Sequence, residues 1–171
     1  MHILIDGYNL IRQTDLRRFE VISLEKGRRE LVRRLALYKK ARKHKITVVF
    51  DGIAGESFAE ERDRSSGISI IYSRKGESAD DVIKRAVRNH SEQLLVVTSD
   101  RGIALAVGRQ GFSVVTSQAF AQKLQESELA YAGIEPEPGG NEDYPSRRDK
   151  KGPARRMPKR KRAGEKNLKR L

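Results

Sequence analysis

Ile46-Thr47-Val48-Val49-Phe50-Asp51-Gly52 is the stretch on which the fold turns. Five successive apolar or β-branched residues, without polar alternation, describe a strand covered on both faces, the habit of a parallel sheet. The Asp-Gly pair then stops it with turn chemistry. Working outward, comparable runs at His2–Asp6, Ile68–Ser73, Leu94–Ser99 and Phe112–Thr116 predict a sheet of about five strands. Helical spacing lies between them. Leu31, Leu35, Tyr38 and Ala41 share one face of a helix over Leu24–Lys43. A second helix opens at Ser78 and turns Val82, Ile83, Ala86 and Val87 inward, and a third covers Asp100–Gln110 with Gly111 as its stop. A fourth runs over Ser117–Ala132, capped by Ser117 and ended near Gly133. Strands alternating with helices imply right-handed βαβ units, hence an α/β three-layer sandwich with a central, mostly parallel sheet. The polar segment Gly52–Gly67 reads as a long loop, either mobile or a substrate flap using Arg62 and Arg64.

Past Gly133 the composition changes. Glu135-Pro136-Glu137-Pro138-Gly139-Gly140 reads as linker, so the expected division is a domain over 1–133, a linker over 134–146 and a basic tail over 147–171. From Arg147 to Leu171, 13 Lys and Arg oppose 2 acids, a balance of +11 within a chain of net charge +13. Such a block is expected to be disordered and to attract polyanions, RNA or an RNA-rich particle such as the ribosome. The first long helix also carries Lys26, Arg28, Arg29, Arg33, Arg34, Lys39, Lys40, Arg42 and Lys43. They form either a solvated helix face or a phosphate-tracking surface. The chain has no cysteine, which excludes disulfides, thiolate metal sites and cysteine nucleophiles. No apolar run is long enough to cross a bilayer, and the first residues do not resemble a signal peptide, so no membrane partner and a cytoplasmic location are expected.

In open α/β sheets, ligands bind beyond the carboxyl ends of the strands. Ile5-Asp6-Gly7-Tyr8-Asn9, Phe50-Asp51-Gly52 and Thr98-Ser99-Asp100 follow three predicted strands, and Glu77-Ser78-Ala79-Asp80-Asp81 opens the helix before the last of these. Each acid alone has an ordinary reading: a turn residue at Asp51, a capping box between Ser78 and Asp81. Together, Asp6, Asp51, Asp80, Asp81 and Asp100 gather like charge at one sheet edge. Hard divalent cations, Mg²⁺ or Mn²⁺, are the natural counter-charge. Such ions polarise a phosphodiester and generate hydroxide from water. With no cysteine and three histidines, zinc is disfavoured.

Asp6-Gly7-Tyr8-Asn9, with Phe50-Asp51-Gly52, Ser78-Ala79-Asp80-Asp81 and Thr98-Ser99-Asp100 in that order, resembles the signature of NYN domains. These are a branch of the PIN-like nucleases, and the YacP-like bacterial group is similar in length and layout. The resemblance spans about the first 133 residues. It implies a central parallel sheet, Mg²⁺ or Mn²⁺ in an acidic pocket and endonucleolytic cleavage of RNA, expected on mRNA or ribosome-associated RNA. It also implies that Asp6, Asp80 and Asp100 are the metal ligands and that Asp81 is a ligand or its neighbour, all four being catalytic, with Asp51 contributing. Asn9 would hydrogen-bond a carboxylate or a substrate phosphate, and Ser99 would orient a ligand or a bound water. Gly7 permits a tight turn with close backbone approach, and Tyr8 reads as packing. Three rivals stand beside this reading: a non-catalytic RNA- or ribosome-binding factor on the same fold, a phosphatase, and a nuclease of DNA. The phosphatase is weakened by the absence of an Asp-x-Asp pair at Asp6.

Overall fold

The computed structural model describes residues 1–52, 59–90 and 93–133. The expected linker (134–146) and tail (147–171) lie outside the described residues. A six-stranded sheet forms the middle layer, with strands β1 (His2–Asp6), β2 (Lys45–Phe50), β3 (Glu61–Ser65), β4 (Ile68–Tyr72), β5 (Leu94–Val97) and β6 (Ser113–Val115) in the order β3-β4-β2-β1-β5-β6. All pairings are parallel except that of β3 with β4. The helices are α1 (Gly7–Arg12), α2 (Arg17–Ile22), α3 (Leu24–Ala41), α4 (Ala79–Arg88), α5 (Arg101–Arg109) and α6 (Ser117–Tyr131).

The period of two along each strand sorts the continuous apolar runs into two cores. Ile3 and Ile5 of β1, Ile46, Val48 and Phe50 of β2, and Leu95 and Val97 of β5 face α1, α3 and α6. Leu4, Val49, Leu94 and Val96 face the opposite way, against Val82, Ile83 and Val87 of α4 and Ile103 and Val107 of α5. This is the physical content of a run without alternation: both faces of the strand are covered.

Strand order reverses at β1. From there β2 and β4 build one way and β5 and β6 the other. The crevice of such a sheet opens at that switch, beyond the carboxyl ends of β1 and β5, which places it beside Asp6 and the Thr98–Asp100 turn.

Several expectations are corrected. The sheet has a sixth strand, β3, within the segment read as a loop; Arg62 and Arg64 belong to its ladder with Ile71 and Ser69 and not to a flap. Charged side chains suit an edge strand, and Ser66 and Gly67 close the hairpin with positive φ values of 51° and 79°, as a two-residue turn requires. Helix α6 is capped by Thr116, whose side chain accepts from the Ala119 N–H, and not by Ser117. Helix α3 stops at Ala41, short of Lys43. Two short helices, α1 and α2, fill the stretch between β1 and α3. Among the described residues, no helix is long and apolar enough to cross a membrane.

Candidate active site

Asp6 ends β1 and caps α1. One of its oxygens accepts from the Asn9 N–H at 3.1 Å and the other from the Thr98 hydroxyl at 3.2 Å. The turn is tight because Gly7 meets the ring of Phe50: any Cβ there would overlap it. Tyr8 packs edge-on against the same ring at 5.2 Å. Asp6 is buried, with both oxygens engaged in these bonds. Burial pushes its carboxyl up to about 6, against the two hydrogen bonds that favour the charged form, and the like charges of Asp80 and Asp51 push the same way.

The other acids reach the site from three further elements. Asp51 follows β2 and accepts the Ala79 N–H at 2.7 Å, which ties the end of β2 to the start of α4. Asp80 is in the first turn of α4. Burial raises its pKa, and Asp100 and Asp51 add to the rise; Lys84, one helical turn on and 3.6 Å away, opposes it. Asp100 caps α5 by accepting the Ile103 N–H at 2.8 Å. The fold therefore brings Asp6 into the fields of Asp80 and Asp51, and Asp80 into those of Asp100 and Asp51.

Asp81 is placed differently. Its carboxylate closes a reciprocal capping box with Ser78, accepting from both the Ser78 hydroxyl at 2.7 Å and the Ser78 N–H at 3.2 Å. These bonds hold its carboxyl below the usual range. It is exposed on the helix face that carries Lys84 and Arg88, whose charges also lower it, and its structural use is the cap.

A buried polar scaffold holds the acids. Thr98 donates to Asp6 and accepts the Asp100 N–H at 3.1 Å, so one hydroxyl fixes the turns after β1 and β5 together. The Asn9 side-chain oxygen accepts from the Ser99 N–H at 2.9 Å and from the Ser117 hydroxyl at 2.7 Å. Ser99 in turn accepts the Ser117 N–H and donates to Gln118, both at 3.0 Å. Asn9 and Ser99 thus brace α1, α5 and α6 against one another. Thr98 and Ser117 carry this scaffold without having been given a site role in the sequence, where Ser117 is expected only as a helix cap. Thr98 could have been found as the polar residue ending an apolar run beside an acid; nothing local marks Ser117 as a partner of Asn9.

Among the described residues, no three acidic or histidine side chains are clustered as a ready-made metal cage. The donor set fits a hard cation that keeps much of its water and is held through a few carboxylates, as Mg²⁺ commonly is. One oxygen each of Asp51 and Asp100 is engaged by a backbone N–H, and each carboxylate retains a second oxygen. Burial raises Asp6 and Asp80, the neighbouring acids add to it, and a cation among them would favour the charged forms.

Comparison with known proteins bears on the family and the fold. Residues 3–162 match the family described as the YacP-like NYN domain, so the match continues beyond Gly133. The protein YacP of Bacillus subtilis is 29% identical over 113 residues, covering 64% of this chain. The aligned part is 66% of that relative's own length, just under two thirds. Two crystal structures of Rae1 (YacP) from Bacillus subtilis, one of them a single-substitution variant, share 23% identity with this chain. They have TM-scores of 0.65 and, for the variant, 0.63; each comparison covers 78% of this chain, and 78% and 79% of the other chain respectively. At that identity the likeness speaks for the fold, which is the PIN-like three-layer arrangement.

Proposed function

Since the chain belongs to the YacP-like NYN domain family, whose domains are generally nucleases, we infer that it is a divalent-metal-dependent endoribonuclease. The observation that carries this reading is the convergence of Asp6, Asp51, Asp80 and Asp100 at the switch crevice, with Asp6 driven up to about 6 by burial and like charge. A fold selected for stability alone gains nothing from that repulsion.

Asp6, Asp80 and Asp100 are the residues that would hold Mg²⁺ or Mn²⁺, with Asp51 beside them. When bound, the ion supplies Lewis-acid polarisation of a phosphodiester and a more acidic water. The chain does the rest. Thr98 and the Asn9 N–H fix both oxygens of Asp6 so that its orientation is set before substrate arrives. Asn9, Ser99 and Ser117 keep the β1 and β5 turns in register. Lys84 holds Asp80 in place until the phosphate and its counter-ion enter. Asp81 serves by fixing the first turn of α4, and so the position of Asp80, rather than by touching substrate.

RNA is the substrate this reading assigns, on mRNA or ribosome-associated RNA. The +11 tail raises the local concentration of the enzyme on RNA or ribonucleoprotein, in the cytoplasm. A non-catalytic RNA-binding factor remains the second reading, favoured by the Lys84–Asp80 ion pair, which neutralises one of the acids. The test is purified protein incubated with RNA, with and without Mn²⁺ or Mg²⁺, beside Asp6→Asn and Asp80→Asn. Metal-dependent cutting that both variants lose supports the enzyme. Binding without cutting under every metal condition leaves the second reading standing.

A further inference from the structure

A groove of about 1180 Å³ runs between α3 and the β3–β4 hairpin. Ile70 and Tyr72 of β4 line one side, with Val32, Ala36 and Leu37 of α3 on the other. Toward the end of α3 the groove reaches Lys40 and Lys39, whose ammonium donates to the Gly67 carbonyl. Toward the start of α3 it reaches Arg28. Tyr72 is in register with Phe50, the residue before Asp51. The Arg28 end therefore opens at the carboxyl edge of the sheet, where the acids stand.

Arg28 is buried, 8% exposed, and its Nε has no hydrogen-bond partner among the described residues. Rings surround its guanidinium: Tyr72 at 5.4 Å, Tyr8 at 5.8 Å and Phe50 at 5.9 Å. Ring faces offset part of the cost of burying a cation, but they are not a counter-charge. The Tyr8 hydroxyl accepts from Arg28 and supplies no charge either, because burial pushes its pKa up. Glu20, which acts on the same hydroxyl, is paired with Arg12 at 3.1 Å. Asp51 acts on that hydroxyl too, so the guanidinium stands close to the acidic edge. A buried guanidinium without a carboxylate suits a phosphate, which accepts two of its N–H groups at once.

The rest of the groove has the same complementarity. Its lining includes six cations and three acids. Arg29 with Glu25 and Arg33 with Glu30 cancel within the lining, which leaves Lys26, Arg28, Lys39 and Lys40 against Asp63. Between those cations the surface is apolar, and half-buried Phe19 and Tyr72 offer rings along it. Cations that follow a backbone, with rings and apolar side chains under the bases, are how proteins hold single-stranded nucleic acid. From Arg28 to Lys39 is eleven residues of helix, roughly 17 Å at ~1.5 Å per residue. That length takes up to about five stacked nucleotides at ~3.4 Å each.

We propose that the groove between α3 and β3–β4 holds the single-stranded RNA next to the scissile bond, with one phosphate on Arg28 and the bases along Tyr72, Ile70, Val32 and Leu37. The inference rests on the ribonuclease reading and gives it a direction: the strand leaves the acids past Arg28 and runs along α3 toward Lys40. Paired bases have no free ring faces to offer these walls, so the groove selects unpaired RNA. The basic tail attracts RNA, and the groove orients it.

The test adds a single-stranded oligouridylate of about ten nucleotides to isotopically labelled full-length protein in EDTA, where no cleavage occurs. The amide signals of Ala36, Leu37, Ile70 and Tyr72 should shift, while those of Ile103 and Val107 on the opposite face stay in place. Arg28→Lys keeps the charge and loses the fork. With Mn²⁺ it should raise KM for the same oligonucleotide by roughly tenfold, the scale of one charge-assisted hydrogen bond, with kcat nearly unchanged. Lys40→Gln alters only an exposed side chain at the far end; it should shrink the groove shifts even if Arg28→Lys fails to fold. Groove signals that stay in place while the metal-loaded protein cuts RNA overturn this inference and leave the ribonuclease reading intact. Groove shifts without cutting under any metal condition support the groove and sink the ribonuclease reading instead. Poly-L-glutamate shifting the same signals as strongly as the RNA overturns the assignment, since the groove would then take any polyanion.

Discussion

Two regions of this molecule concentrate like charge in the sequence, and the fold treats them in opposite ways. On α3 three of the arginines are met by acids. Arg29 pairs with Glu25 at 2.8 Å, Arg33 with Glu30 at 2.8 Å and Glu128 at 3.1 Å, and Arg34 with Asp15 at 2.6 Å. Arg28 is buried against the rings of Tyr8, Phe50 and Tyr72. At the carboxyl edge of the sheet the acids face each other instead, and Lys84 is the cation that answers one of them. Charge the fold neutralises is accounted for by structure. Charge it gathers and leaves in mutual repulsion asks for a ligand.

The contrast breaks most sharply through the acids themselves. Asp6→Asn and Asp80→Asn each keep side-chain shape and remove a negative charge, so the fold should survive. RNA cleavage at saturating Mn²⁺ should fall by more than about 100-fold, beyond the ~10–100-fold typical of groups that support a metal ligand. Single-turnover cleavage beside circular dichroism measures both halves of the expectation. Activity retained in both variants would make the acids caps and nothing more.

Thr98 sharpens the same comparison one layer out. Thr98→Val removes the hydroxyl that donates to Asp6 and accepts from the Asp100 N–H. Cleavage should fall by about 10–100-fold through misplacement of both acids. Thr98→Ser, which restores the hydroxyl, should recover most of it. Equal losses in the two variants would show that packing of the Thr98 methyl, and not its hydrogen bonds, is what matters.

What the sequence disclosed follows from which signals are local. Ile46–Phe50 and Leu94–Val97 announce buried parallel strands because every residue in them is apolar or β-branched, whichever face it takes. Asp6, Asp51, Asp80 and Asp100 are legible because strand ends and topology alone bring them to one edge. The hairpin strand β3 is not legible, since Glu61-Arg62-Asp63-Arg64-Ser65 is polar throughout and owes its conformation to pairing with β4. Asp80 and Asp81 look alike in sequence. Only the helix phase separates them, turning one toward Asp100 and the other onto Ser78. Ser117 is silent for a different reason, because its partner Asn9 lies 108 residues away.

The buried state of Asp6 carries a stability consequence with a definite sign. Its carboxyl titrates at about 6 when folded, against 3.8 for the unperturbed group. Between those values the folded chain binds more protons than the unfolded one, so stability falls as pH rises from about 4 to 6. Above that window the charged carboxylate burdens the metal-free protein. Asp6→Asn should therefore stabilise metal-free protein at pH ~7.5, by about 1–3 kcal/mol, and should do little near pH ~4. Urea melts in EDTA at the two pH values read the difference. A variant destabilised equally at both would mean that its hydrogen bonds to Asn9 and Thr98 outweigh the charge.

The smallest effect belongs to α3, and it tests the other half of the contrast. Arg29 and Glu25 form an exposed pair one helical turn apart, a geometry that contributes about 0.3–0.5 kcal/mol. Arg29→Gln should shift stability by no more than that, within the scatter of a surface substitution. Its effect on RNA is the informative part. If the pair holds Arg29 for Glu25, the dependence of RNA affinity on salt should keep its slope, because no phosphate contact is lost. Were α3 a phosphate-tracking surface, each lost contact would make the slope shallower by about 0.7–0.9. Affinity measured across a salt series for the parent and for Arg29→Gln with Arg33→Gln separates the two. An unchanged slope leaves RNA attraction with the basic tail. A slope that drops by one contact per substitution would show that ion pairs on a helix face are exchanged for phosphate when RNA arrives, and neutralisation within the fold would no longer mark a charge as structural.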